Sequence, residues 1–235
     1  MAKIVIGGTA HRRRELGKCS PDGRLLEWKY SRQIWAEIKP KLESLGFRVV
    51  IDYPEEDLPK YIQSASPAQE RNRELNLRVN IVNSICRQYG AGNCIYVPIH
   101  VDACPPADGK WHTAGGWSAW TTRGNTRADL LAQCLCEAAE SNLKEYAARM
   151  EKGKKDGAYG AGQRAFRFDY SDGDKDQEAN YYVLQHTLCP AVLTENLFQD
   201  NLWDVDYLLS DEGRHCIERL HVEGIANYFK SVQKL

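Results

Sequence analysis

An α/β domain with a mostly parallel, twisted sheet and helices on both faces is the fold class this sequence predicts. Two observations predict it. Short apolar runs alternate along the chain with amphipathic stretches of helical period, the pattern of βαβ units. The 235 residues, 43% of them hydrophobic, suffice for one sizeable core, so residues 1–235 read as a single domain.

The elements follow in order. "KIVIG" is a short strand ended by glycines. "EWKYSRQIWAEIKPKLESLG" places Ile34, Trp35, Ile38, Leu42 and Leu45 at helical spacing, contains Pro40 and stops at Gly46. "FRVVID" closes that first βαβ unit as a second strand. The Pro-, Ser- and acid-rich "YPEEDLPKYIQSASPAQE" is a loop before a second helix from about Glu70 to Tyr89, and "CIYVPIH" is the next strand. "GGWSAWTT" alternates as a strand does, and "NTRADLLAQCLCEAAESNL" is a helix with Asn125 as its expected N-cap. The polar, glycine-rich "RMEKGKKDGAYGAGQ" reads as a surface excursion, and 151–178 as a surface insertion. "NYYVLQH" and "CPAVLTE" read as two further strands, and "DEGRHCIERLHVEGIANYF" as a last helix. The sequence contains no internal repeat.

Charge and cysteine content exclude several function classes. Lys and Arg number 31 against 32 Asp and Glu, so the net charge of -1 gives no electrostatic reason to expect nucleic acid or an anionic membrane as partner. No run approaches the ~20 apolar residues of a membrane span, and the apolar part of "MAKIVIGG" is too short for a secretory signal. The eight cysteines are spread over a chain with ample core and include no CxxC pair, so they read as thiols rather than a disulfide frame or a zinc knuckle. Cys134 and Cys136, two apart on a helix, diverge by roughly 200° and cannot share one ion.

Parallel sheets place their sites beyond the carboxyl ends of the strands. His11 follows "KIVIG", His100 ends "CIYVPIH" and Glu195 ends "CPAVLTE", so the three converge if those strands are neighbours. Glu27 opens the first helix where the chain returns from the His11 loop. Two histidines and a carboxylate with an open fourth position suit a catalytic zinc, and a further glutamate suits proton transfer in metal-assisted hydrolysis. Taken singly, His11 fits a hydrogen-bonded loop histidine and Glu27 a solvated first-turn residue as well. Glu15 competes with Glu27 as the carboxylate ligand. His112, His186, His215 and His221 read as structural, and Trp111, Trp117 and Trp120 as core packing or a sugar-stacking edge.

At these residues the chain resembles the zinc-dependent N-acetylmuramoyl-L-alanine amidases, the catalytic domain of cell-wall amidases and phage endolysins. The resemblance covers nearly the whole chain. It rests on His11, on Glu27 in "GRLLEWK", on His100 in "PIHVDA" and on Glu195 in "PAVLTENLFQDN", with scaffold echoes in "LNLRVNIVN" and in Asn201, Asp204 and Leu208. One departure stands out: "TAHRRR" replaces the family's Gly-His-Gly-Gly, so the backbone at His11 lacks the freedom glycines give.

The resemblance implies zinc held by His11, Glu27 and His100, with Glu195 as general base and then acid, cutting the amide between N-acetylmuramic acid and the L-alanine of the peptidoglycan stem. It also implies action on the cell wall, in the periplasm or outside; with no secretory signal read in the sequence, the protein is expected to be cytoplasmic until released. Two other classes fit the same residues: a carboxypeptidase-like zinc hydrolase, and a non-catalytic wall-binding protein of the same fold.

Overall fold

The computed structural model describes residues 3–13, 15–106 and 108–233. Strand β1 (Ile4–Thr9) leads through helix α1 (Glu27–Ser44) to β2 (Arg48–Ile51), then through α2 (Pro67–Tyr89) to β3 (Cys94–Asp102). Beyond β3 come β4 (Ser118–Thr121), α3 (Asp129–Asn142), α4 (Lys144–Lys155), β5 (Gln177–Glu178) and the single turn α5 (Tyr182–Gln185). β6 (Leu193–Phe198), α6 (Leu202–Leu209) and α7 (Asp211–Val232) complete the chain.

The six strands form one sheet in the order β2-β1-β3-β6-β4-β5. β2, β1, β3 and β6 run parallel, and β4 is antiparallel to β6. The mostly parallel sheet expected from the sequence is therefore present, and the neighbour condition for the site is met: β1 pairs with β3, and β3 with β6.

Strand alternation sorts the core into two layers. Along β3, Ile95, Val97, Ile99 and Val101 face a cluster with Trp35, Leu135 and Ile217, from α1, α3 and α7. Cys94 and Tyr96 face the other way, with Ile4, Ile6 and Leu193, against Val79 and Val82 of α2 and Val183 and Leu184 of α5. His100, four residues past Tyr96, continues this second set, which puts it on the α2 side.

Local chemistry explains the helix boundaries. α2 starts three residues before Glu70 because the Ser66 hydroxyl accepts the Gln69 N–H and Pro67 occupies the first turn, where its missing N–H costs nothing. Asn201 caps α6 by accepting the N–H groups of Trp203 and Asp204. Asp204, with no exposure, accepts the Tyr146 and Tyr159 hydroxyls and the Phe198 N–H, tying α4, α6 and the end of β6 together.

Three expectations change. α3 begins at Asp129, not at Asn125: the residue at its N-cap is Ala128, and the Asp129 carboxylate reaches back to the Thr126 N–H and hydroxyl. "NYYVLQH" is not a strand, since Tyr182–Gln185 form one helical turn that places Val183 and Leu184 together against α2. The glycine-rich stretch after Arg149 is not a surface excursion throughout. α4 continues to Lys155, and Tyr159 is 2% exposed because Gly115 and Gly153 leave room for its ring; a Cβ at either would lie 2.6–2.7 Å from it.

Candidate active site

His100 and Glu195 are opposite residues of the β3–β6 ladder and so lie side by side on the α2 face. A register shift follows them directly, between His100 and Asp102, with Leu197 at φ 64. Asn196 braces this pair by donating its amide to the His100 carbonyl at 2.9 Å while accepting the Trp117 indole N–H at 3.0 Å.

His11 lies two residues past β1 at φ 47, a backbone conformation costly for any residue with a Cβ. Buried charge holds it there. The Arg78 guanidinium donates to the His11 carbonyl at 3.1 Å while paired with Asp52 at 2.9 Å and Glu74 at 3.0 Å. Arg32 donates to the carbonyls of Ala10 and His11, and Arg12 bridges Glu15, Glu70 and Glu74. Arg12 of "TAHRRR" thus joins Arg32 of α1 and Arg78 of α2 in holding the loop from outside the backbone.

Glu27, 1% exposed, opens α1 and reaches both histidines. Its Oε1 lies 2.9 Å from His100 Nδ1 and accepts the Val101 N–H at 3.2 Å, and its Oε2 lies 3.1 Å from His11 Nε2. Burial pushes the Glu27 carboxyl up, but the two histidines hold it well below the ordinary range. Burial draws His100 down; at His11 the charge of Glu27 and the hydrogen bond to Glu15 outweigh burial and raise it. Glu15 is the other carboxylate of the sequence reading, and the structure gives it the far side of His11: it accepts from Nδ1 at 3.0 Å. Burial opposes its ionisation, yet His11 and Arg12 bring it down to about 2.

Donor atoms of His11, Glu27 and His100 all lie within 4.8 Å of one another. The set fits zinc. Two nitrogen or oxygen ligands each about 2.1 Å from a tetrahedral ion are roughly 3.4 Å apart, close to the spacings here. His11 Nε2 and Glu27 Oε2 approach to 3.1 Å without hydrogen-bond geometry, and neither buried atom has another partner among the described residues, as befits two atoms aimed at one ion. Glu15 on Nδ1 leaves the Nε2 lone pair free to ligate.

Glu195 stands apart from this trio and faces the same cavity of about 310 Å³. Its Oε2 is buried without a hydrogen-bond partner among the described residues, and burial, reinforced by Asp102 and Glu27, raises its carboxyl well above the ordinary value. Such a group is a stronger base than a surface carboxylate. Tyr181, Tyr182 and Val183, from the turn misread as a strand, line the cavity too.

The remaining histidines serve elsewhere. His112 pairs with Asp108, His186 stacks on Tyr182, His215 is exposed beside Glu218, and His221 is buried between Thr194 and Ile217. Trp117 is fully buried in the core, Trp120 packs on Tyr181, and Trp111 is exposed.

Comparison with known proteins agrees with this geometry. The family model for N-acetylmuramoyl-L-alanine amidase matches residues 4–227. N-acetylmuramoyl-L-alanine amidase CwlM of Bacillus licheniformis is 43% identical over 61 residues, which are 26% of this chain and 24% of that protein. The match therefore spans about a quarter of that relative's length. Among solved structures, the CwlD amidase of Clostridioides difficile, in complex with the GerS lipoprotein, superposes with TM-score 0.69 at 17% identity, over 97% of this chain and 99% of that one. The catalytic domain of the amidase CwlV from Bacillus (Paenibacillus) polymyxa gives 0.65 at 15% identity, over 97% and 98%. The catalytic domain of the CD27L endolysin, which targets Clostridia difficile, gives 0.58 at 19%, over 97% and 98%. The fold is shared with all three, and by the match over 4–227 the chain belongs to the N-acetylmuramoyl-L-alanine amidase family.

Proposed function

We propose that the protein is a zinc-dependent peptidoglycan hydrolase that cuts the amide between N-acetylmuramic acid and the L-alanine of the stem peptide, acting at the cell wall. The observation that carries this is the meeting of His11, Glu27 and His100 within 4.8 Å, with Glu195 beside His100 on the same cavity.

His11, Glu27 and His100 would hold the ion, three protein ligands leaving one position open. Zinc bound there would supply Lewis acidity, polarising the scissile carbonyl and making water a better nucleophile near neutral pH. Glu15 fixes the tautomer and ring plane of His11, and Asn196 fixes the His100 backbone. Glu195 accepts a proton at its carboxylate from the attacking water. It returns that proton to the nitrogen of the leaving alanine as the C–N bond breaks, so the products are a lactyl carboxylate and a free amine.

Digestion of purified peptidoglycan, with the bond cut identified and a chelator arm alongside, tests the proposal. New alanine amino termini, lost with chelator and regained with zinc, are expected. Release of terminal amino acids instead would indicate a carboxypeptidase, and an intact wall a protein that only binds it.

A further inference from the structure

The segment 151–178 ends in "SDGDKDQE", with acids at every second position: Asp172, Asp174, Asp176 and Glu178. The chain bends at each residue from Ser171 to Asp176, with Gly173 at φ 108, and then joins the sheet edge as β5, where Glu178 pairs with Thr121 of β4. The first three acids descend from solvent into the protein. Asp172 is exposed, Asp174 half-buried and Asp176 only 2% exposed.

Asp176 is poorly served for a charge at that depth. Its Oδ2 accepts the Thr121 hydroxyl, but its Oδ1 is buried with no hydrogen-bond partner among the described residues. What it meets there is a second carboxyl, that of Asp174, within hydrogen-bonding reach, and Asp129 adds negative charge from the start of α3. Lys175, between the two acids, gives its ammonium to Glu140 of α3 at 2.6 Å. Burial, reinforced by Asp174, pushes the Asp176 carboxyl up to about 7.

Two carboxyls pressed together away from water persist by sharing a proton or by sharing a cation. A shared proton needs two acids and no more. Here Asp172, Asp174 and Asp176 repeat the alternate spacing with which calcium loops present their carboxylates, although the glycine and the distal glutamate of an EF-hand are missing, which makes a weaker site. Carboxylate, hydroxyl and backbone carbonyl oxygens are hard donors that suit calcium and not zinc, and an irregular loop meets the flexible shell of calcium more easily than the strict octahedron of magnesium.

We propose that Asp174 and Asp176, with oxygen atoms of the 171–176 bends completing the shell, bind a calcium ion that pins this segment to the edge of the sheet. The site shares no residue with His11, Glu27 and His100. From β5 the chain runs through Ala179, whose N–H donates to the Thr121 carbonyl at 3.0 Å, to Tyr181 and Tyr182 on the wall of the active-site cavity. The ion therefore steadies one end of that wall.

The full chain, freed of metal and reloaded with one equivalent of zinc, is titrated calorimetrically with calcium chloride, and its thermal unfolding is followed at the same calcium concentrations. One calcium per chain is expected, with a Kd on the order of 10⁻⁵–10⁻³ M, and the Tm should rise with calcium because the ion binds the folded state. Asp176→Asn and, at the half-buried position, Asp174→Asn should each weaken calcium binding by about tenfold or more and flatten the rise in Tm, with zinc content unchanged. Asp174→Asn decides the matter if Asp176→Asn does not fold. A wild type that binds no calcium overturns the site and leaves the two carboxyls to share a proton. Calcium binding undiminished in Asp174→Asn overturns it by placing the ion elsewhere, and magnesium bound as tightly as calcium overturns the choice of ion.

Discussion

His100 and Glu195 owe their position to a ladder of backbone hydrogen bonds, whereas His11, two residues beyond the end of β1, owes its position to buried charge. The first pair sits in register on adjacent parallel strands, and Asn196 adds one side-chain brace. The second region relies on Arg12 and Arg78 meeting Asp52, Glu15, Glu70 and Glu74 almost out of water, with Arg32 donating to the Ala10 and His11 carbonyls. Backbone ladders are insensitive to single side-chain changes. A buried ion network is not, because removing one member leaves its partners charged and unpaired. Two halves of one centre therefore fail in different ways.

In the proposed reaction the strand half supplies proton transfer, and there the largest effect is expected. Glu195→Gln keeps the shape of the side chain and its place on β6 but cannot take a proton. Turnover of peptidoglycan should fall by a factor on the order of 10²–10⁴ while zinc, measured by elemental analysis, stays at about one per chain. His100→Ala on the neighbouring strand should lose metal and activity together. If Glu195→Gln sheds zinc, Glu195 is a ligand; if it keeps both zinc and activity, another group moves the proton.

The loop half should fail by destabilisation. Arg78→Met leaves Asp52 and Glu74 without their common cation and leaves the His11 carbonyl with Arg32 alone of its two guanidinium donors, with Arg78 itself only 4% exposed. Breaking a buried pair of this kind costs about 3–5 kcal/mol. Urea unfolding should show that loss, and zinc affinity should fall with it because His11 relaxes from its strained conformation. A variant as stable as the wild type would mean that the network is not what holds His11.

The same contrast explains what the sequence disclosed. Apolar runs with a titratable residue at the end are visible as patterns, which is why His100 in "PIHVDA" and Glu195 in "PAVLTE" were legible along with the parallel sheet. The network was not. Arg12, Arg32 and Arg78 lie far apart in sequence, and arginine usually signals solvent, so "TAHRRR" reads as a loss of glycine freedom rather than as a substitute for it. α5 was misread because a single turn burying Val183 and Leu184 contains no full helical period. Gly153 signalled a surface excursion, whereas the lack of a Cβ there and at Gly115 makes space for Tyr159. Glycine composition alone does not separate flexibility from close packing.

Acid should separate the two halves, with the smallest effect of the three and the strand half giving way first. Behind β6, the ring of His221 has no exposure; its Nδ1 faces the Ile217 carbonyl at 2.7 Å and its Nε2 the Thr194 hydroxyl at 2.9 Å. The neutral ring fits this site, donating from Nδ1 and accepting at Nε2, and Thr194 Oγ1 in turn accepts from the Asn196 amide that holds the His100 carbonyl. Burial lowers the His221 pKa to about 4, whereas an unfolded histidine titrates near 6.5. Between those values the unfolded chain binds a proton that the folded chain refuses, so the contribution of His221 is complete above about pH 6.5 and is lost as pH falls to about 4. At roughly 1.4 kcal/mol per pH unit, the window amounts to about 3 kcal/mol. Glu15, held down to about 2, stays ionised across it, so the network at His11 keeps this member of its charge. Unfolding free energies of the wild type and of His221→Gln, measured in steps from pH 7 to pH 4, should converge as pH falls, with the wild type losing the greater part of its advantage below pH 6. Profiles that stay parallel over the whole range would show that His221 does not couple acid to the strand half of the site.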